Sequence, residues 1–210
     1  MVRGTFFSIL AAIVGLFLTV PAFAQHNGIV QSNVNILSSA YPWATVGKFS
    51  TKTSNNKLLA LQVSAECGIY TATTTLSKKM QRSTSTAQAA VYFRVLINGV
   101  QAAPDQVVFC SRVQQLSIVL QGAIDNCPVV DGKIDTDLCD FTEEEVSLVL
   151  STMDANSYGF TAPTSAGSAA VEIQAKVVSS TSVSGSGSAV AYGTIGNLSV
   201  IANQMNLSQK

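Results

Sequence analysis

The segment 89–100, AAVYFRVLINGV, restricts the fold more than any other part of this chain. Val91, Phe93, Val95 and Ile97 share one parity, while Tyr92, Arg94 and Leu96 share the other. A period of two places alternate side chains on opposite faces of a strand, so one face is built for a core and the other for water. Asn98-Gly99 follows, the dipeptide that most readily takes the left-handed torsions of a tight hairpin turn. A chain organised around this segment is expected to be sheet-based.

The same rhythm recurs along the chain. KLLALQVSAE (57–66) and GIYTATTTLSKK (68–79) read as strands rich in β-branched residues, with a loop expected around MQRSTSTAQ (80–88). VVFCSR and QQLSIVLQG continue the meander, with Leu116, Ile118 and Leu120 facing inward. Val171, Ile173, Ala175 and Val177 then alternate with Glu172, Gln174 and Lys176, the pattern of a sheet with one wet face. SYGFTAP and GSAVAYGTIGNLSVIANQMN supply the last strands, and SSTSVSGSGS a flexible turn. Charged residues are only 11% of the chain, so the exposed faces must be hydroxylated rather than ionic. The expected fold is all-β: a two-sheet antiparallel β-sandwich, jelly-roll-like, occupying 57–210.

The amino-terminal end carries Arg3, an apolar run, and small residues at Ala22 and Ala24. Those parts make residues 1–24 a secretory signal peptide, with cleavage expected after Ala24. As an uncleaved anchor the run falls short of the roughly 20 residues that a spanning helix needs. The expected location is secreted, periplasmic or at the cell surface, with no membrane span after signal removal. Residues 25–56 show little period and are expected to be a weakly ordered segment, pinned by Tyr41, Pro42 and Trp43. Twelve basic residues balance twelve acidic ones without a basic stripe, which argues against nucleic acid as a partner.

Four cysteines in an exported chain imply two disulfides. Three connectivities are open; Cys127 with Cys139 is favoured because both flank one polar loop, and Cys67 with Cys110 because both lie on expected strands. Zinc finds neither a C-x-x-C spacing nor any histidine besides His26.

The loop bracketed by Cys127 and Cys139 belongs to DNCPVVDGKIDTDLCDFTEEE (125–145), where most of the acidic residues gather. Asp131, Asp135, Asp137 and Asp140 offer hard oxygens at short spacing and are the candidate calcium ligands. The loop departs from the EF-hand pattern, since Cys139 and Asp140 stand where a third ligand and a glycine belong. The alternative is a disulfide-closed acidic loop that needs no cofactor. Thr142 and Glu145 match a capping box, and Val146, Leu148, Val149 and Leu150 could supply a helical apolar face. One short helix is therefore expected within the acidic insert at 122–155.

Catalytic chemistry is poorly represented. His26 lies two residues past the expected cleavage site, where a base cannot hold hydrogen-bond geometry. Neither a nucleophile elbow, a P-loop nor a zincin motif occurs. Trp43 is the sole tryptophan and Glu172 is an acid on an expected alternating strand, where the plain reading is an outward-facing residue, so a carboxylate-pair glycosidase has few parts to use.

SYGFTAPTSAGSAAVEIQAKVVSS followed by AYGTIGNLSVIANQMN resembles the closing strands of secreted jelly-roll heads of the TNF/C1q-like kind. The chain is also similar to a group of secreted bacterial proteins with a VLINGV…VVFCSR core. The resemblance covers roughly 88–205 and implies a binding or assembly module, often trimeric in such heads. The acidic, cysteine-bracketed insert departs from them. The expectation is thus a non-enzymatic β-sandwich module for binding or assembly at the cell exterior, its partner an extracellular protein or glycan, with homo-oligomer formation open. The alternative is a small extracellular carbohydrate-binding or carbohydrate-cleaving protein.

Overall fold

A computed structural model describes residues 27–31, 35–37, 42–77, 81–120, 124–135 and 138–206. Residues 1–24, where a signal peptide is expected, lie outside the described residues, as do His26 and Asp137. Two antiparallel sheets face one another. The first runs β1 (Asn27–Gln31), β14 (Ser186–Asn206), β4 (Lys57–Ser77), β12 (Glu144–Thr164), with β2 (Asn35–Leu37) also on β14. The second runs β3 (Ala44–Thr53), β13 (Gly167–Ser184), β5 (Arg82–Ile97), with β6 (Val100–Gln101) and β7 (Val107–Val119) on β5. A 21-residue strand extends about 70 Å, so β4, β12 and β14 make an elongated body.

The core is graded along that length. At one end Leu59, Leu61 and Val63 of β4 and Val200 of β14 pack over Phe93 and Val95 of β5 and Ile173 of β13, all buried. At the other end the facing layers carry Thr71, Thr73, Thr75 and Ser77 over Ser83 and Ser85, also buried. Buried hydroxyls are tolerated only when bonded. Gln114 of β7 meets this demand: Thr71 Oγ1 donates to its Oε1 at 2.5 Å, and its Nε2 donates to Thr73 Oγ1 at 2.9 Å and to the Leu148 carbonyl at 2.7 Å. Close approach of the sheets also dictates Gly193. A Cβ there would sit 2.6 Å from Val91 Cγ2 and 2.9 Å from Val177 Cγ2.

Three expectations need correction. The helix expected in the acidic insert is the beginning of β12: residues 144–164 are extended and pair with the whole of β4, and no α-helix occurs among the described residues. Val146, Leu148 and Leu150 alternate with Ser147, Val149 and Ser151, so the segment satisfies period two as well as a helical face. A long vacant edge on β4 decides between them, because its ladder supplies backbone partners at every position. The segment 25–56, expected to be weakly ordered, contributes β1, β2 and all of β3, whose Ala44–Thr53 pairs with β13. Its sparse apolar positions suit edge strands, which need only one inward row. The loop expected at 80–88 is likewise mostly strand, β5 beginning at Arg82.

Disulfides join Cys67 of β4 to Cys110 of β7, hence one sheet to the other, and Cys127 to Cys139 across the insert. Both fit an oxidising compartment. The insert holds two small ladders, β8 (Ile124–Asn126) with β11 (Asp140–Phe141), and β9 (Val129–Val130) with β10 (Lys133–Ile134).

Candidate functional site

The outer face of the second sheet gathers the functional side chains of three strands. Alternation turns Glu172, Gln174 and Lys176 of β13 outward, and Tyr92, Arg94 and Leu96 of β5 with them. The register then sets Lys176 beside Tyr92 and Gln174 beside Arg94, while on the opposite flank β3 brings Lys48 to Glu172 and Thr45 to Gln174. Trp43 precedes β3 and lies half-buried over this row. Arg94 Cζ stands 4.3 Å and Lys176 Nζ 4.6 Å from the indole centroid, and Lys176 Nζ lies 5.1 Å from the Tyr92 centroid.

A relay of hydrogen bonds fixes the polar partners. Arg94 Nε donates to Gln174 Oε1 at 2.7 Å, and Gln174 Nε2 donates to Glu172 Oε1 at 2.7 Å. Thr45 Oγ1 donates to the same carboxylate oxygen, and Lys48 Nζ stands 3.2 Å from Oε2. The Thr45 hydroxyl first, then the Gln174 amide and Lys48, outweigh burial and hold the Glu172 carboxyl down to about 2 from its ordinary 4.5. Such a group is a fixed anion near neutrality and a poor proton donor. Lys48 pairs with it, and Arg94 and Lys176 stand farther along the same face beside Gln174 and Tyr92, giving this face a local cationic excess in a chain of zero formal net charge. A groove of ≈ 400 Å³ continues from Glu172 and Lys48 past Phe49, Ser50, Leu96 and Ala170.

The lowered Glu172 value has a definite consequence. Because the folded state holds the carboxyl below its unfolded value, the associated stability is present above about pH 4.5 and lost as pH falls toward 2. Subtracting the melting-temperature profile of Glu172→Gln from that of the parent should give a difference confined to this acid window. A flat difference there would show that the Thr45 and Gln174 bonds do not persist in solution.

The acidic insert places its candidates differently. Asp131 has φ 50 and Gly132 φ 72, so Asp131 forms the tight turn between β9 and β10. Asp135 is engaged through its backbone, its N–H donating to the Pro128 carbonyl at 3.2 Å and its carbonyl accepting from Leu138 N–H at 3.3 Å. Asp140 sits on β11, paired with Asn126. Among the described residues no group of three or more His, Cys, Asp or Glu side chains converges to hold a metal.

Sequence reading identified Trp43 and Glu172 separately but missed the cluster of Trp43, Arg94 and Lys176. Outward parity on β5 and β13 was visible; their alignment with each other and with β3 was not. A scan against protein-family models finds no match for the chain, and a search of curated proteins finds no relative.

Proposed function

We propose that this chain is a secreted, non-enzymatic β-sandwich module that binds or assembles at the cell exterior, and that it meets an anionic partner through the Trp43 face. The observation that carries the reading is the indole held between Arg94 and Lys176 on a half-exposed sheet face. Cations stacked on an aromatic ring keep outward donors for carboxylates while the ring offers apolar area. The one acid in the groove is committed to Thr45, Gln174 and Lys48, which favours binding over proton transfer.

A jelly-roll arrangement is supported by the strand order. Counting β1, β3, β4, β5, β7, β12, β13 and β14 as first to eighth, one sheet reads first, eighth, third, sixth and the other second, seventh, fourth, fifth. Such nested crossings between sheets are those of paired Greek keys.

A second reading, a small extracellular carbohydrate-active protein that binds sugars, is favoured by Tyr92 beside Trp43 and by the stacked Tyr70–Tyr192 pair, 4.6 Å apart, on the first sheet. One measurement addresses both. Trp43 is the only tryptophan, so intrinsic emission reports this face directly. Titration with polygalacturonate should change the emission in a salt-sensitive way, and Arg94→Ala or Lys176→Ala should weaken the response about tenfold, ~1.4 kcal/mol each. A response to neutral dextran of equal strength would favour the sugar reading. Silence toward every polysaccharide and toward polyglutamate would remove the Trp43 face as a binding site.

A further inference from the structure

β12 closes the first sheet, and among the described residues its side away from β4 has no partner strand along most of its length. Thr161 N–H donates to the Ala103 carbonyl and Thr161 O accepts from Ala103 N–H, on the side away from β4. Antiparallel alternation directs the backbone N–H and C=O groups of every second residue from Glu145 to Gly159 to that same side. Among the described residues no strand pairs with them.

Such an edge is normally guarded by charge, proline or brevity. The opposite edge of the molecule follows the rule, since β3 carries Lys48 and Lys52. β12 does not: between Val146 and Ala162 its one charge is Asp154, and Val146, Leu148, Val149, Leu150 and Met153 are exposed. We infer that this edge is a self-association surface, at which β12 of a second copy adds antiparallel about a two-fold axis centred on Leu148. This deepens the assembly half of the reading above.

The residues select both occupant and register. Centred on Leu148, the inward row meets itself: Leu148 faces Leu148, and Val146 faces Leu150. Glu144 of the second copy then falls opposite Thr152, whose hydroxyl is held by Arg112, so each copy offers a guanidinium to the other's carboxylate. Neighbouring registers are worse. Centring on Val149 sets Glu144 against Asp154, two like charges; centring on Leu150 sets Val146 against Asp154; centring on Ser147 sets Glu144 against Leu150. Like charges directly opposite are destabilising in antiparallel ladders, and a carboxylate covered by an apolar side chain loses water without gaining a partner. Both layers end at this edge, where Gln114 of β7 reaches the Leu148 carbonyl. A contact about 35 Å long and about 20 Å deep covers roughly 700 Å² per copy, close to the ~800 Å² of a standard stable interface.

Sedimentation velocity on the purified, oxidised protein at about 1–100 µM tests the inference. The expected result is a concentration-dependent dimer, made at least a hundredfold weaker by Leu148→Lys, which opposes two cations on the axis. Arg112→Glu should weaken it too, and Arg112→Glu with Glu144→Arg should restore it, a rescue that a folding defect cannot imitate. Leu148→Cys should cross-link the two chains under mild oxidation, while Met153→Cys should not. A monomer at the highest concentration, or a dimer indifferent to Leu148→Lys in protein of unchanged circular dichroism, overturns the inference. The Trp43 titration repeated on the Leu148→Lys monomer keeps the two ideas apart, because ligand binding there would survive failure of the edge.

Discussion

Replacing Phe93 with alanine should lower the unfolding free energy by about 3–5 kcal/mol, with the native strand signal retained below the transition. Phe93 is buried at the heart of the second sheet, and its ring lies 4.3 Å from that of Phe109. Phe109 in turn lies 5.3 Å from Tyr158 of β12, so the three rings join both sheets. The cost depends on how far the surroundings can close over the hole. Here they can close little. The β13 residue paired with Phe93 is Ala175, too short to fill the space, and β5 is held by β13 on one side and β7 on the other. By contrast, Val149→Ala on the exposed edge of β12 should change stability by less than about 0.5 kcal/mol in the monomer. Urea unfolding followed by circular dichroism compares them. A loss below about 1 kcal/mol for Phe93→Ala would mean that the sheets slide together and the aromatic contact is not a fixed part of the core.

The contrast between β5 and β12 shows what local pattern can specify. In β5 the alternation admits one solution: Val91, Phe93, Val95 and Ile97 are buried, Tyr92 and Arg94 face outward, and Asn98 and Gly99 take φ 53 and φ 81 at the turn. In 142–150 the residues admit two solutions, because Thr142 and Glu145 cap a helix as readily as Val146, Leu148 and Leu150 line a strand. The tie is broken by β4, which lies far upstream in sequence, and no local window contains that information. The Trp43 face is hidden for the same reason. Parity on β5 and β13 gave the outward residues, but the Arg94–Gln174 bond spans 80 positions and the Thr45–Glu172 bond 127, and both depend on strand register. Asp131 shows the converse limit. Besides the oxygens for which it stands out in the sequence, it has a backbone role, taking positive φ in an Asp-Gly turn.

The largest covalent effect should come from Cys67–Cys110. Its loop of 43 residues removes more unfolded-state entropy than the 12-residue loop of Cys127–Cys139, about 4 against about 3 kcal/mol in the chain-entropy account. Location separates the pairs further. Cys67 and Cys110 tie β4 to β7 across the core, where Cys67 is buried, so their loss acts on global unfolding. Cys127 and Cys139 close an insert whose Val129, Ile134 and Leu138 are exposed, so their loss acts first on the insert itself. Cys67→Ala with Cys110→Ala should therefore lower the global midpoint strongly. Cys127→Ala with Cys139→Ala should move it much less, leave the far-ultraviolet strand signal nearly unchanged, and open 128–138 to limited proteolysis under native conditions. If both double variants lower the global midpoint equally, the insert unfolds as one cooperative unit with the sandwich, and the packing of β9 and β10 must contribute to the stability of β12.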